Sequence, residues 1–139
     1  MDDSAIFLPF FTMIGLTFAV WVTLYARRIP FIVNNKLTPE QLAPAAFARL
    51  APAFVSNPSD NFRNLFELPV LFYALVLYLV VTRQVDGAYV TAAWVFVAFR
   101  VLHSAVHCTV NVVILRFWLY VVSATALWAM VARAGLGLL

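Results

Sequence analysis

The chain alternates long apolar runs with short polar stretches, and two of those runs are too short to cross a bilayer unaided. Ile6–Ala26 gives 21 residues of almost unbroken apolar sequence, ~31 Å as a helix, with Pro9 tolerated near its start. It reads as a first span, stopped by Arg27-Arg28-Ile29-Pro30. Leu68–Val81 holds fourteen residues without a charge, only ~21 Å of helix against a hydrocarbon core of ~30 Å. A second span must therefore begin in the polar stretch before it, and is expected over about residues 61–82. Ala88–Phe99 is shorter still, twelve residues or ~18 Å. A third span over about residues 88–108 has to run on through Arg100, His103 and His107, and a fourth is expected over about 116–133.

The connections follow from proline, glycine and cap signals. Residues 27–60 carry Pro30, Pro39, Pro44, Pro52 and Pro58 and read as a long connection. Within it, Thr38-Pro39-Glu40-Gln41 resembles an N-cap followed by proline at the first helical position, which predicts a short interfacial helix over about Pro39–Leu50. Pro69 frees the carbonyl of Leu65 and predicts a bend in the second span. Arg83–Gly87 is a tight turn. No glycine or proline lies between Gly87 and Gly135, yet one helix there would be ~70 Å long, more than a bilayer needs. The reversal is expected near Cys108–Leu115, around Asn111.

Two polar stripes then stand out. Asp60, Arg63, Asn64 and Glu67 fall at i, i+3, i+4 and i+7, on one helical face, within Asn57–Pro69. Arg100, His103, His107 and Asn111 fall at i, i+3, i+7 and i+11, again on one face. An intramembrane Glu67 is most simply kept ionised by Arg63 or Arg100, because an unpaired charge there costs several kcal/mol. Arg63, Arg100 and Arg116, with Arg27 and Arg28 at the neighbouring helix end, outnumber that carboxylate. One reading makes these residues clamps between helices; the other, which we favour, takes the surplus guanidinium groups as a site for a carboxylate, thiolate or phosphate. His103 and His107 at i, i+4 with Glu67 could in principle share a metal, but the surrounding arginines would repel a divalent cation, so no metal is expected.

Composition sets the class. Of 139 residues 65% are hydrophobic and 11% charged, with a mean hydropathy of +0.95, so the chain is an integral membrane protein and not a soluble domain. The net charge of +3 comes from basic residues scattered between apolar runs, which excludes a nucleic-acid patch. Cys108 is the only cysteine, so no intrachain disulfide is possible, and in an apolar helix it reads as a packed hydrophobe. Met1-Asp2-Asp3-Ser4 lacks the positive start of a signal peptide, so the first run is expected to be retained. Arg27, Arg28, Lys36, Arg49 and Arg63 lie on or beside the first connection and Arg116 by the third; the opposite side carries Arg83 and Arg133 with Asp2, Asp3 and Asp86. The positive-inside rule thus places both termini outside the cytoplasm, in a bacterial inner membrane or its equivalent.

At these residues the chain resembles the MAPEG family, the membrane-associated proteins of eicosanoid and glutathione metabolism. Ala26-Arg27-Arg28 is similar to the family's arginine pair at the end of its first helix. Arg63-Asn64-x-x-Glu67, with proline close behind, resembles the core of the second-helix signature. Arg100-x-x-His103-x3-His107, then Arg116 and Tyr120, resembles the microsomal prostaglandin E synthase branch. The resemblance implies an all-α, four-helix membrane subunit forming a single domain over residues 1–139 and assembling as a homotrimer. It implies glutathione as co-substrate in a cytoplasm-facing cleft between subunits, with a lipophilic molecule entering from the bilayer. By position, Arg27, Arg63, Asn64, Glu67, Arg100, His103, His107 and Tyr120 would hold the tripeptide, with Arg116 stabilising the thiolate and Arg28 assisting catalysis. Asp60 stands where the signature usually has arginine, Leu68 where an aromatic is usual, and His107 where a ring hydroxyl is usual.

The expected function is a glutathione-dependent transferase or peroxidase acting on lipophilic electrophiles in the membrane. The alternative is a non-catalytic MAPEG-like subunit whose polar face binds a lipid head group or another membrane protein. A small transporter fits less well, because the four spans show no inverted repeat or broken-helix pattern.

Overall fold

The computed structural model describes residues 3–137; Asp2, one of the charges that set the expected orientation, and Met1, at the start read against a signal peptide, lie outside the described residues. The described chain is all-α. A 3-10 turn, Asp3–Ile6, leads into α1 (Phe7–Asn34). A second 3-10 turn, Pro39–Leu42, precedes α2 (Pro44–Leu50), α3 (Ala53–Asn64), α4 (Leu68–Val81), α5 (Gly87–Cys108) and α6 (Val113–Leu136). Among the described residues, four stretches are long and apolar enough to cross a membrane: Ser4–Asn34, Ala53–Val81, Gly87–Cys108 and Val113–Leu136.

The first helix does not stop at Ala26. It runs through Arg27, Arg28 and Pro30 to Asn34, 28 residues or ~42 Å. The arginines are absorbed because each lays its guanidinium on an aromatic ring, Arg27 over Phe54 at 4.4 Å and Arg28 over Phe47 at 4.3 Å. The stop comes at Lys36, whose φ of 48° turns the backbone into the left-handed region. There the Leu37 N–H returns to the Ile32 carbonyl at 3.2 Å, the 6→1 bond of a Schellman end.

The expected helix over residues 39–50 is broken in two at Ala43, which is extended (φ −57°, ψ 139°). Pro44 follows it, and the proline ring disfavours the α region for the residue before. The second membrane helix also begins eight residues early, at Ala53 instead of Asn61. Pro58 inside α3 removes one helical N–H and so frees the Phe54 carbonyl, which accepts instead from Arg27 Nη1 at 3.3 Å. The bend ahead of Pro69 is present: α3 ends at Asn64, and Glu67 takes a non-helical conformation (φ −96°, ψ −104°) before α4 begins. The α5–α6 reversal falls at Thr109–Val112, with Asn111 at φ 49° and its N–H on the Val106 carbonyl at 2.8 Å.

The bundle is divided along its length. One part is an apolar core in which Ile6 of the first 3-10 turn and Met13 and Val20 of α1, one every seventh residue, meet Phe72 and Val76 of α4, Phe96 of α5 and Leu127 of α6. Phe72 and Phe96 stack at 4.7 Å. Outside it, Phe11, Phe18, Trp118 and Trp128 are among many large apolar side chains left exposed, as suits a surface solvated by lipid. The other part is polar: α3 runs antiparallel to α5, and asparagines of α3 face Arg100, Ser104 and Cys108 of α5.

Candidate functional site

Three asparagines of α3, at positions 57, 61 and 64, form an i, i+4, i+7 stripe facing α5 and the reversal after it. Asn57 Oδ1 accepts from Asn111 Nδ2 at 3.1 Å. Asn61, fully buried, accepts from Ser104 Oγ at 3.3 Å and donates to Cys108 Sγ at 3.5 Å. Asn64 Oδ1 accepts from Arg100 Nη1 at 2.7 Å, while Asn64 Nδ2 donates to Glu67 Oε2 at 3.2 Å. Asn57, Asn61 and Ser104 were not singled out from the sequence. The asparagine spacing would have shown the first two once the helix was extended back to Ala53.

Asn64 therefore stands between Arg100 and Glu67. The direct pairing of Glu67 with Arg63 or Arg100 expected from the sequence is not formed; among the described residues the ion pair is Arg133 with Asp86, at the other end of the bundle. Glu67 and Arg63 are both exposed. Arg100 is 0% exposed, with its guanidinium 4.6 Å from the Tyr120 ring. Its Nε and Nη2 have no hydrogen-bond partner among the described residues.

The histidines behave alike. His103 Nδ1 lies 2.9 Å from the Arg116 carbonyl, which can only accept, so Nδ1 carries the proton and donates. In the neutral ring that leaves Nε2 as a bare acceptor, and it is buried without a partner, as is His107 Nδ1. The two rings lie at 89° with centroids 5.6 Å apart. Among the described residues no three of His, Cys, Asp and Glu gather to hold a metal ion.

Arg116 lies in the first turn of α6, whose N-terminus has no side-chain cap. A cation there opposes the helix dipole, and the free N–H groups of that turn add to its pull on anions. Asn64, His103, Val113, Arg116, Phe117 and Tyr120 line a cavity of about 230 Å³. Arg100 stands behind its wall through Asn64 and Tyr120. The structure thus brings together Asn64, Arg100, His103, His107, Arg116 and Tyr120 of the expected set, with Glu67 at the edge.

Arg27, Arg28 and Arg63 do not join them within one chain. Arg27 Nη1 donates to the Cys108 carbonyl at 2.7 Å and to that of Phe54, tying α1 to the end of α5 and the start of α3. Arg28 and Arg63 share a separate cavity of about 130 Å³ with Asp60, Ser56 and Ser59. A third, apolar cavity of about 500 Å³ lies along α1, α3 and α4, between Ile14, Trp21, Phe62 and Tyr73. It holds none of the expected polar residues, and its size alone does not make it the chemical centre.

A four-span helical membrane protein with an arginine-and-histidine cleft between its second, third and fourth spans is the class that fold and site define. The model of the MAPEG family matches residues 6–136, and the chain belongs to that family. The family takes in glutathione transferase- and peroxidase-type members as well as others. No curated protein and no solved structure matches the chain.

Proposed function

We propose that this protein is a glutathione-dependent transferase or peroxidase acting on lipophilic electrophiles, closest in kind to the microsomal prostaglandin E synthase branch. The observation that carries the reading is the set of four buried nitrogens without partners, on Arg100, His103 and His107, behind or beside a cavity that Arg116 lines. Buried polar groups are nearly always hydrogen-bonded, so such a cluster fits a polar guest. Two bare guanidinium nitrogens ask for acceptors and a bare imidazole Nε2 asks for a donor, which a zwitterionic tripeptide can supply together. Glu67 suits its ammonium group, and Arg100 and Tyr120 stand beside the rest. Arg116 and the uncapped start of α6 favour the thiolate, the reactive form of the sulfur.

The cavity of about 230 Å³ falls below the ~300 Å³ at which small-molecule pockets usually begin. A homotrimer would enlarge it: a neighbouring subunit could bring its own Arg27 and Arg28 to the open side, where Glu67 and Arg63 are exposed. Both termini would then lie on the non-cytoplasmic face of a bacterial-type inner membrane, and the cleft on the cytoplasmic face.

The test is a thiol-ionisation titration of glutathione with purified native protein and Arg116→Ala. Native protein should bind glutathione and lower its thiol pKa; the variant should keep the assembly and bind, but lose turnover by roughly 10²–10³-fold, as when an oxyanion donor is removed. A purified assembly that binds no glutathione at millimolar concentration would sink the reading.

A further inference from the structure

We infer that Asn57 and Asn111 are positioning residues that aim the Arg116 guanidinium into the cleft; the inference rests on the reading of Arg116 as the thiolate's partner. The chain of contacts is continuous. Arg116 Nη1 donates to Asn111 Oδ1 at 2.6 Å, and Asn111 Nδ2 donates to Asn57 Oδ1 at 3.1 Å. Asn57 is 8% exposed and rooted in α3, so the far end of the chain is anchored in the bundle. Asn111 is fixed by its own backbone as well, through its N–H on Val106 and the left-handed turn it occupies.

Without these contacts little would hold Arg116 in place. Its side chain is long, it opposes the dipole of α6, and no carboxylate lies within ion-pairing distance among the described residues. The His103 ring holds only the backbone carbonyl of Arg116. A neutral amide is the suitable partner: it takes one of the five guanidinium N–H donors and leaves the positive charge uncancelled. An aspartate in that place would aim the group equally well but neutralise it. Asn111 thus has two duties, a backbone conformation that asparagine tolerates and a side-chain acceptor, and they can be separated.

Asn111→Gly separates them, because glycine keeps the left-handed turn and removes the acceptor. In the purified full-length protein, ¹⁵N relaxation of the Arg116 side chain, assigned by its loss in Arg116→Lys, should change from rigid to mobile. The thiol pKa of bound glutathione should rise by about one unit, a tenfold loss of thiolate below that pKa, with glutathione affinity altered less than about threefold. Asn57→Ala should move both readouts the same way and less far. A variant with Arg116 as rigid as in native protein overturns the inference, and so does an unchanged thiol pKa when Arg116→Ala raises it. A fall in affinity that parallels loss of assembly, with no separate change in thiol ionisation, also overturns it, since that is what a purely structural role gives. Should native protein leave the thiol unperturbed, the glutathione reading falls, and the relaxation measurement alone decides whether the asparagines aim Arg116.

Discussion

Arg100 and Arg133 are both arginines held against a tyrosine ring, one toward each end of the bundle, and the fold treats them in opposite ways. Arg133 lies over Tyr89 at 4.3 Å and sends Nη1 and Nη2 to the two carboxylate oxygens of Asp86. Asp86 also caps α5 by accepting from the Tyr89 N–H at 3.0 Å. Both partners stay about half exposed, at 49% and 44%. Arg100 is completely buried, has a neutral amide as its hydrogen-bond acceptor and keeps two nitrogens bare among the described residues. Burying a guanidinium in that state costs several kcal/mol, which the exposed pair avoids. Arg133 closes the end of the bundle; on the proposed reading, Arg100 keeps donors for a guest at a cost in stability. A fold built for stability alone would have no use for the second arrangement.

The strongest way to break this contrast is Arg100→Met, which keeps much of the stem and removes the charge. If Arg100 serves a guest, the variant should melt at or above the native temperature without glutathione, because an unpaired buried charge has gone. Its affinity for glutathione should fall at least about tenfold, the loss of one or more charge-assisted hydrogen bonds. Thermal melts with and without glutathione check both halves. A variant that melts far lower without ligand would make Arg100 a structural clamp through Asn64, and the contrast with Arg133 would disappear.

How the two ends were legible in the sequence differs in the same way. The fold class followed from hydrophobic run lengths, and even the inclusion of Arg100, His103 and His107 in a membrane helix followed from the shortness of Ala88–Phe99. The helix starts and stops were less readable. Pro58 looked like part of a loop because its compensation, Arg27 reaching the freed Phe54 carbonyl, comes from a residue 27 positions away. Arg27-Arg28 looked like a stop because nothing local shows that Phe54 and Phe47 will receive them. Glu67 was misassigned to an arginine because charge was counted without the amide between: Asn64 divides its two ends between Arg100 and Glu67. The Asp86–Arg133 pair spans 47 residues and carried no sequence motif at all. What sequence reading missed was long-range pairing of polar groups, the term that periodicity does not contain.

Glu67 sharpens the comparison at smaller amplitude. It is exposed, so it bears little of the burial cost that Arg100 bears, and its role should be to the guest more than to the fold. Glu67→Gln retains an oxygen for the Asn64 N–H and removes the charge. Assembly and melting temperature should be unchanged, while glutathione affinity falls by roughly three- to tenfold through loss of the partner for its ammonium group. Full affinity in Glu67→Leu, measured by calorimetry, would remove Glu67 from the site.

The smallest effect is expected at Asp86, and it is the control on which the contrast depends. The Arg133 guanidinium, and after it the Tyr89 N–H, hold the Asp86 carboxyl well below the usual carboxylate range. A carboxyl depressed in the folded state contributes stability above its unfolded pKa of ~3.9 and loses it as pH falls through the folded value. At neutral pH the contribution is therefore present in full, but solvent screens an exposed pair and keeps it small. Asp86→Asn retains an oxygen for the Tyr89 N–H and removes only the charge. Its melting temperature should lie on the order of 1–3 °C below native at pH 7. The gap should narrow as pH falls below ~4, where the carboxyl of the unfolded chain takes up a proton and the folded carboxylate still does not. Turnover should be unchanged, since nothing at this end contacts the cleft lined by Asn64, His103, Arg116 and Tyr120. A tenfold loss of turnover in this variant would mean that α5 and α6 transmit the state of one end to the other. Arg133 and Arg100 would then be two points on one coupled element, and the division between a closed end and an available one would have to be abandoned.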